Sequence, residues 1–142
     1  MIYYLSLGAN IGAREQTLQS ALREIEEQVG RVLRCSSFYY SAPWGFASEH
    51  DFCNMCCAVE TDLTPLRMLK ATQSIERQLG RRHKTEDGQY SDRTIDIDII
   101  RAFDKDGKEK SFNFQLSTFN LIIPHPLWHE RDFVKIPLAE IV

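Results

Sequence analysis

No apolar run in the 142 residues approaches the roughly 20 that a helix needs to span a bilayer, which removes the helical membrane class. A basic excess is missing too. Seventeen Lys and Arg against 20 Asp and Glu leave a net charge of −3, whereas a general nucleic-acid binder carries a positive surplus. The start, Met1-Ile2-Tyr3-Tyr4-Leu5-Ser6-Leu7-Gly8, has no basic leader and no small-residue cleavage site, so no signal peptide is expected and the cytoplasm is the default. Repeats, low-complexity tracts and Pro/Gly/Ser linkers are absent as well. A single domain over 1–142, long enough to bury a core without staples, is the expectation.

The four cysteines do not form a disulfide or metal framework. Cys53 and Cys56 have C-x-x-C spacing, but the segment around them reads as a strand, and alternation puts the two on opposite faces. Buried, reduced thiols are expected.

What is present is an alternation of periodicities. Residues 2–7 read as a strand ended by Gly8. Leu18, Ala21, Leu22, Ile25 and Val29 recur at helical spacing over about 14–29, with Gly30 at the stop. A strand follows over 32–41, a loop over 42–51 and a third strand over 52–61. Thr64-Pro65 is an N-cap with proline in the first helical position, and Leu66, Leu69, Ile75 and Leu79 carry that helix to Gly80. A polar loop over 81–92 leads to a strictly alternating strand over 94–103, then a turn and a short strand near 109–114. The tail holds three prolines, and only 137–141 reads as a helical turn. The order β-α-β-β-α-β predicts an α+β ferredoxin-like sandwich: an antiparallel sheet, two helices on one face, the other face left for a ligand.

The most informative segment is Asp92-Arg93-Thr94-Ile95-Asp96-Ile97-Asp98-Ile99. On a strand Asp96 and Asp98 leave one face, about 7 Å apart, while the isoleucines leave the other. Such a pair is either an ordinary charged strand face or a site for Mg²⁺, which takes one or two carboxylates with phosphate oxygens and water. Arg81, Arg82, His83 and Lys84 open the 81–92 loop and Arg93 follows it. They are either a solvated basic loop or phosphate donors, and beside the aspartates they suggest phosphoryl transfer. The loop's polar composition predicts a lid that closes over nucleotide. Leu7-Gly8-Ala9-Asn10-Ile11-Gly12 lacks P-loop spacing and reads as a strand-to-helix turn with Asn10 near the cap. Pro43, Trp44, Phe46 and Phe52 make an aromatic wall, with Asn54 facing the same way as Phe52. They form either a stacking site for a flat heterocycle or a satellite core. His125 and His129 lie four apart but lack a third ligand for zinc. One of them binding an anion and both being surface residues remain equal readings.

In this order, Leu7-Gly8-Ala9-Asn10, Phe52-Cys53-Asn54, Gln73-Ser74-Ile75-Glu76, Gly80-Arg81, Arg93-Thr94-Ile95-Asp96-Ile97-Asp98-Ile99 and Ile123-Pro124-His125 resemble the 6-hydroxymethyl-7,8-dihydropterin pyrophosphokinases. The resemblance implies a ferredoxin-like core that binds ATP with two Mg²⁺ ions and moves pyrophosphate to the pterin hydroxymethyl group, releasing AMP in folate biosynthesis. It implies that Asp96 and Asp98 hold the metal and that Asp98 accepts the hydroxyl proton. Gln73, Glu76, Ile99, His125 and Arg131 would hold ATP, with Arg81, His83 and Arg93 supplied by the loop. Phe52 and Phe133 would stack the pterin, Asn54 would read its edge, and Ser41, Ala42, Trp44 and Tyr90 would complete that pocket. The chain departs from the family pattern at His83, where an arginine is common, at Tyr90 for a tryptophan, and at Asp92 and Pro126. No nucleic-acid or membrane partner is expected. The rival readings are a non-catalytic ferredoxin-like module for a ligand or partner, and an RNA-binding domain, which the negative charge disfavours.

Overall fold

A computed structural model of the chain describes residues 1–42, 51–80, 95–118 and 120–142. Its centre is β1 (Ile2–Ala9), which pairs antiparallel with β4 (Phe52–Glu60) on one side and β5 (Asp96–Phe103) on the other. Alternation divides these strands cleanly. Tyr3, Leu5 and Leu7, with Cys53, Met55, Cys57 and Val59 from β4, Ile97 and Ile99 from β5 and Ile95 just before it, form the larger core. Against it lie α1 (Arg14–Gln28), through Leu18, Ala21 and Ile25, and α2 (Pro65–Gln78), through Met68 and Ile75. Thr64 caps α2 as its sequence predicts, its hydroxyl accepting from Arg67 N, with Pro65 next. For α1 the expectation needs correcting. Ala13 occupies the cap without a side-chain bond, and Asn10 is buried beyond the end of β1.

The sheet order is β2-β4-β1-β5-β6, all antiparallel, with β3 also on β4. Here β2 (Arg31–Cys35) and β3 (Tyr39–Ser41) replace the single strand expected over 32–41. The break falls at Ser36, whose N–H donates to Cys56 O and whose hydroxyl accepts from Cys56 N, both at 2.9 Å. The short strand expected near 109–114 is also two. β6 (Glu109–Lys110) extends the main sheet, while β7 (Phe112–Gln115) pairs with β8 (Asn120–Ile123) in a separate ribbon.

Two further corrections bear on the site. The tail forms a full helix, α3 (Asp132–Ile141), with Pro137 inside it, rather than a turn at 137–141. Val134, Leu138 and Ile141 pack on Tyr4, Cys56, Ala58 and Ile100, so a third helix covers part of the face expected to be open. That burial outweighs the hydrogen bond Pro137 cannot donate. Strict alternation in β5 also fails. Tyr4 pairs with Arg101 but Leu5 with Ile99, so Ile100 is the extra residue of a bulge. Ile100 and Arg101 therefore leave the same side of the sheet, the one facing α3.

A helix carboxylate accepts from a strand N–H on β2 and on the stretch of β5 that β6 does not reach. Glu26 Oε2 accepts from Val32 N on β2 at 2.6 Å, and Glu76 Oε2 accepts from Ile97 N on β5 at 2.8 Å. Of the four cysteines expected as buried thiols, the three on β4 are buried and Cys35 is exposed. All four thiols are free, Cys53 lies in the larger core and Cys56 in the smaller, and burial pushes the Cys56 thiol up to about 12.

Gly30, between α1 and β2, runs so close to the end of β4 that a Cβ on it would lie 2.1 Å from Glu60 O. Gly30→Ala must move backbone, not a side-chain tip. We expect a loss of about 2–3 kcal/mol, read as a lowered denaturant midpoint at unchanged slope; a midpoint like wild type would show that this approach is not tight.

Candidate active site

The register of three strands sets the site. On the face opposite the larger core, Asn54, Gly8 and Asp96 stand in one lateral row, and Cys56, Ser6 and Asp98 in the next. Asp96 and Asp98 are half-buried, with Ile95, Ile97 and Ile99 on the other side. Gly8 lies inside β1, not at its end, and its lack of a side chain matters. A Cβ there would meet Asn54 Oδ1 at 3.0 Å and Phe52 Cδ1 at 3.5 Å. Glycine inside a strand marks a close approach, which is the signal a purely local reading as a turn misses. Asn54 is buried, and its Nδ2 donates both to Tyr39 O (3.0 Å) and to Ser41 Oγ (2.8 Å). Its two donors are thereby used, and the oxygen is turned to Gly8. Phe52 pairs in register with Ser41 and is half-buried, with Ala42 exposed beyond.

The tail reaches the same region. His125 N donates to Ile100 O at 2.8 Å, and the ring Nδ1 accepts from Leu127 N at 3.1 Å, which leaves the ring proton on Nε2. Burial first, and then the charge of nearby Arg131, lower the His125 imidazole to about 4, with Asp96 opposing both. These couplings bring His125, Arg131 and Asp96 into one neighbourhood. Arg131 is buried, with its guanidinium carbon 5.7 Å from the Phe133 ring. Phe133, assigned from sequence to the pterin, thus touches a residue assigned to ATP. On α2, Gln73 is half-buried and Glu76 buried on Ile97 N. Ile99 is a core side chain, 5% exposed, on the face away from the aspartates.

The donor set fits a hard divalent cation. Two carboxylates, Asp96 and Asp98, share one face. Such a pair suits Mg²⁺, which draws its remaining ligands from phosphate and water. Zinc would need a fuller cage.

A family model described as 7,8-dihydro-6-hydroxymethylpterin-pyrophosphokinase (HPPK) matches residues 4–142. The chain belongs to that family. The 2-amino-4-hydroxy-6-hydroxymethyldihydropteridine pyrophosphokinase of Porphyromonas gingivalis is 43% identical over 140 residues, 99% of this chain and 90% of the relative. The Bacillus subtilis enzyme of the same description is 38% identical over 141 residues, 99% and 77% of the two chains. A solved HPPK-DHPS structure in complex with substrates superposes with a TM-score of 0.69 at 17% identity. That match covers 99% of this chain and 40% of the other, and it speaks to the fold alone.

Within this pyrophosphokinase, register puts Asn54, Asp96 and Asp98 on one sheet face, with Phe52 and Ser41 paired beside Asn54 and with His125, Arg131 and Phe133 reaching it from the tail. Trp44, Arg81, His83, Tyr90 and Arg93, together with the expected lid over 81–92, lie outside the described residues. None of the described helices is long and apolar enough to cross a membrane.

His125 gives a pH test. Its folded value of about 4 lies below its ordinary 6.5, so the unfolded chain binds the proton more readily. Neutral His125 therefore stabilises the fold above pH 6.5, and this contribution is lost as pH falls toward 4. Between pH 6.5 and 5, above most carboxylate titration, wild-type stability is expected to slope downward and His125→Asn to be flatter. Parallel slopes in denaturant titrations would exclude a buried neutral imidazole.

Proposed function

We propose that the uncovered sheet face around Gly8 is where this chain performs its family's reaction. Membership makes it an ATP-dependent pyrophosphokinase of folate synthesis, moving pyrophosphate from ATP to hydroxymethyldihydropterin. The observation that carries the placement is the single row Asn54–Gly8–Asp96. Two strand spacings separate its ends, about 10 Å, with only a glycine between. A flat heterocycle held at Phe52 and Asn54 can lie across that gap and point its hydroxymethyl arm at the aspartates.

In this reading Phe52 and Phe133 hold the pterin rings, and Asn54 Oδ1 accepts from a ring N–H, since its amide protons are already committed. Ser41, Ala42, Trp44 and Tyr90 close the pocket. The hydroxymethyl oxygen attacks the β-phosphorus in line, the bond from that phosphorus to the α-phosphate oxygen breaks, and AMP leaves. The hydroxyl proton passes to Asp98. Mg²⁺, for which we propose two ions held at Asp96 and Asp98, supplies charge neutralisation on the triphosphate when bound. His125 offers a neutral Nε2–H to phosphate and Arg131 a fixed positive charge. Arg81, His83 and Arg93 add donors from the loop, so positioning and electrostatics supply most of the rate. Gln73 and Ile99 line the nucleotide side, Ile99 through its peptide group at the strand edge. Glu76 serves there by bracing β5.

The order β-α-β-β-α-β with strands β2-β4-β1-β5 supports assignment to the ferredoxin-like class. The chain would act as one domain in the cytoplasm, where four free thiols stay reduced. The test is the product. With 6-hydroxymethyl-7,8-dihydropterin, Mg²⁺ and ATP, AMP should form in step with pterin pyrophosphate. Release of ADP, or no pterin-dependent turnover, would overturn the assignment.

A further inference from the structure

We infer that Arg101 and Trp128 form a clamp that positions the nucleotide-side groups His125 and Arg131, a role resting on the site proposed above. The bulge in β5 turns Arg101 onto the same side of the sheet as Ile100. Its guanidinium forks onto Glu109, Nε to Oε2 at 2.8 Å and Nη2 to Oε1 at 3.0 Å. The same group lies over Phe103 at 4.9 Å and over Trp128 at 5.3 Å. Phe103 is itself held edge-on by Tyr4 at 5.5 Å. The guanidinium is thus held on β6 by a bidentate ion pair, a geometry that lysine cannot reproduce, and its planar face grips Trp128.

Trp128 opens the single 3₁₀ turn Trp128–Glu130, which separates His125 from Arg131. Its N–H donates to His125 O and its carbonyl accepts from Arg131 N, both at 3.4 Å. His125 N in turn bonds Ile100, the bulge residue. The loop is closed: bulge to arginine, arginine to tryptophan, tryptophan to both tail residues, and His125 back to the bulge. The ring anchors the backbone of this turn on Arg101, so losing that contact would let the turn shift and carry both tail groups relative to β5. Neither Arg101 nor Trp128 touches the row of site residues, so they act as positioning residues.

Trp128→Leu and Arg101→Gln in the full chain are expected to raise KM for ATP roughly tenfold, the scale set by small misplacement of binding groups, and to leave pterin Kd within about twofold. Trp128→Phe keeps an aromatic face and should recover most of the ATP KM. Joined to His125→Ala, Trp128→Leu should add little further loss, because both act through one group. If Trp128→Leu does not fold, Arg101→Gln decides. Equal weakening of ATP and pterin, or a lowered Tm with unchanged ATP KM, overturns the clamp. His125→Ala distinguishes the two levels. Should it weaken ATP while both clamp variants do not, the clamp alone fails; should it leave ATP binding untouched, the placement of nucleotide at the tail fails with it.

Discussion

Replacing Asp96 or Asp98 by Asn is expected to lower kcat about a hundred- to a thousandfold, since several kcal/mol of transition-state charge stabilisation depends on the pair. The fold should survive. Both carboxylates are half-buried on the face opposite the larger core and belong to neither core cluster, so Tm should change little. EDTA should abolish turnover and Mg²⁺ restore it, with the variants needing more Mg²⁺ than wild type. A variant that keeps near-wild-type kcat at low Mg²⁺ would show that the ligands lie elsewhere.

The second large effect is expected at the pterin wall. Phe52→Ala removes one stacking face, and Asn54→Ala removes the acceptor turned toward Gly8. Each should weaken pterin binding by roughly 1–3 kcal/mol, or about tenfold to a hundredfold. ATP affinity should change far less. The two variants should differ in stability. Asn54→Ala strands Tyr39 O and Ser41 Oγ, its present acceptors, and should cost about 1–2 kcal/mol of folding energy, whereas Phe52 sits at the start of β4 and should cost less. Calorimetric titration of each ligand separates binding from stability. Parallel losses for ATP and pterin would reduce both residues to scaffolding.

The aspartate pair was legible in sequence because a polar–apolar alternation on a strand leaves little freedom: once Ile95, Ile97 and Ile99 are core, Asp96 and Asp98 must face away. The bulge just beyond was hidden. Ile99 and Ile100 are both apolar, and nothing local says which is the extra residue; only the partner strand decides. The helix over Asp132–Ile141 was obscured by Pro137, although Val134, Leu138 and Ile141 carry the spacing that docks it. For Asn54 the sequence suggests a polar reader but not its polarity. That follows from Tyr39 and Ser41, which a three-dimensional contact alone brings beside it. Glu76 looks from sequence like a ligand-facing acid, and its bond to Ile97 N is likewise a tertiary fact.

That bond, and its counterpart between Glu26 and Val32, has a consequence for the protein in crowded solution. An exposed strand edge with idle N–H groups is a template for another chain, the first step toward amyloid-like stacking. Here β2 and the stretch of β5 beyond β6 each carry a carboxylate across one donor. An approaching strand would have to displace that acceptor and then lie against a negative charge. Two acidic side chains thus guard these two stretches of strand, and one of them also braces the strand that carries Asp96 and Asp98.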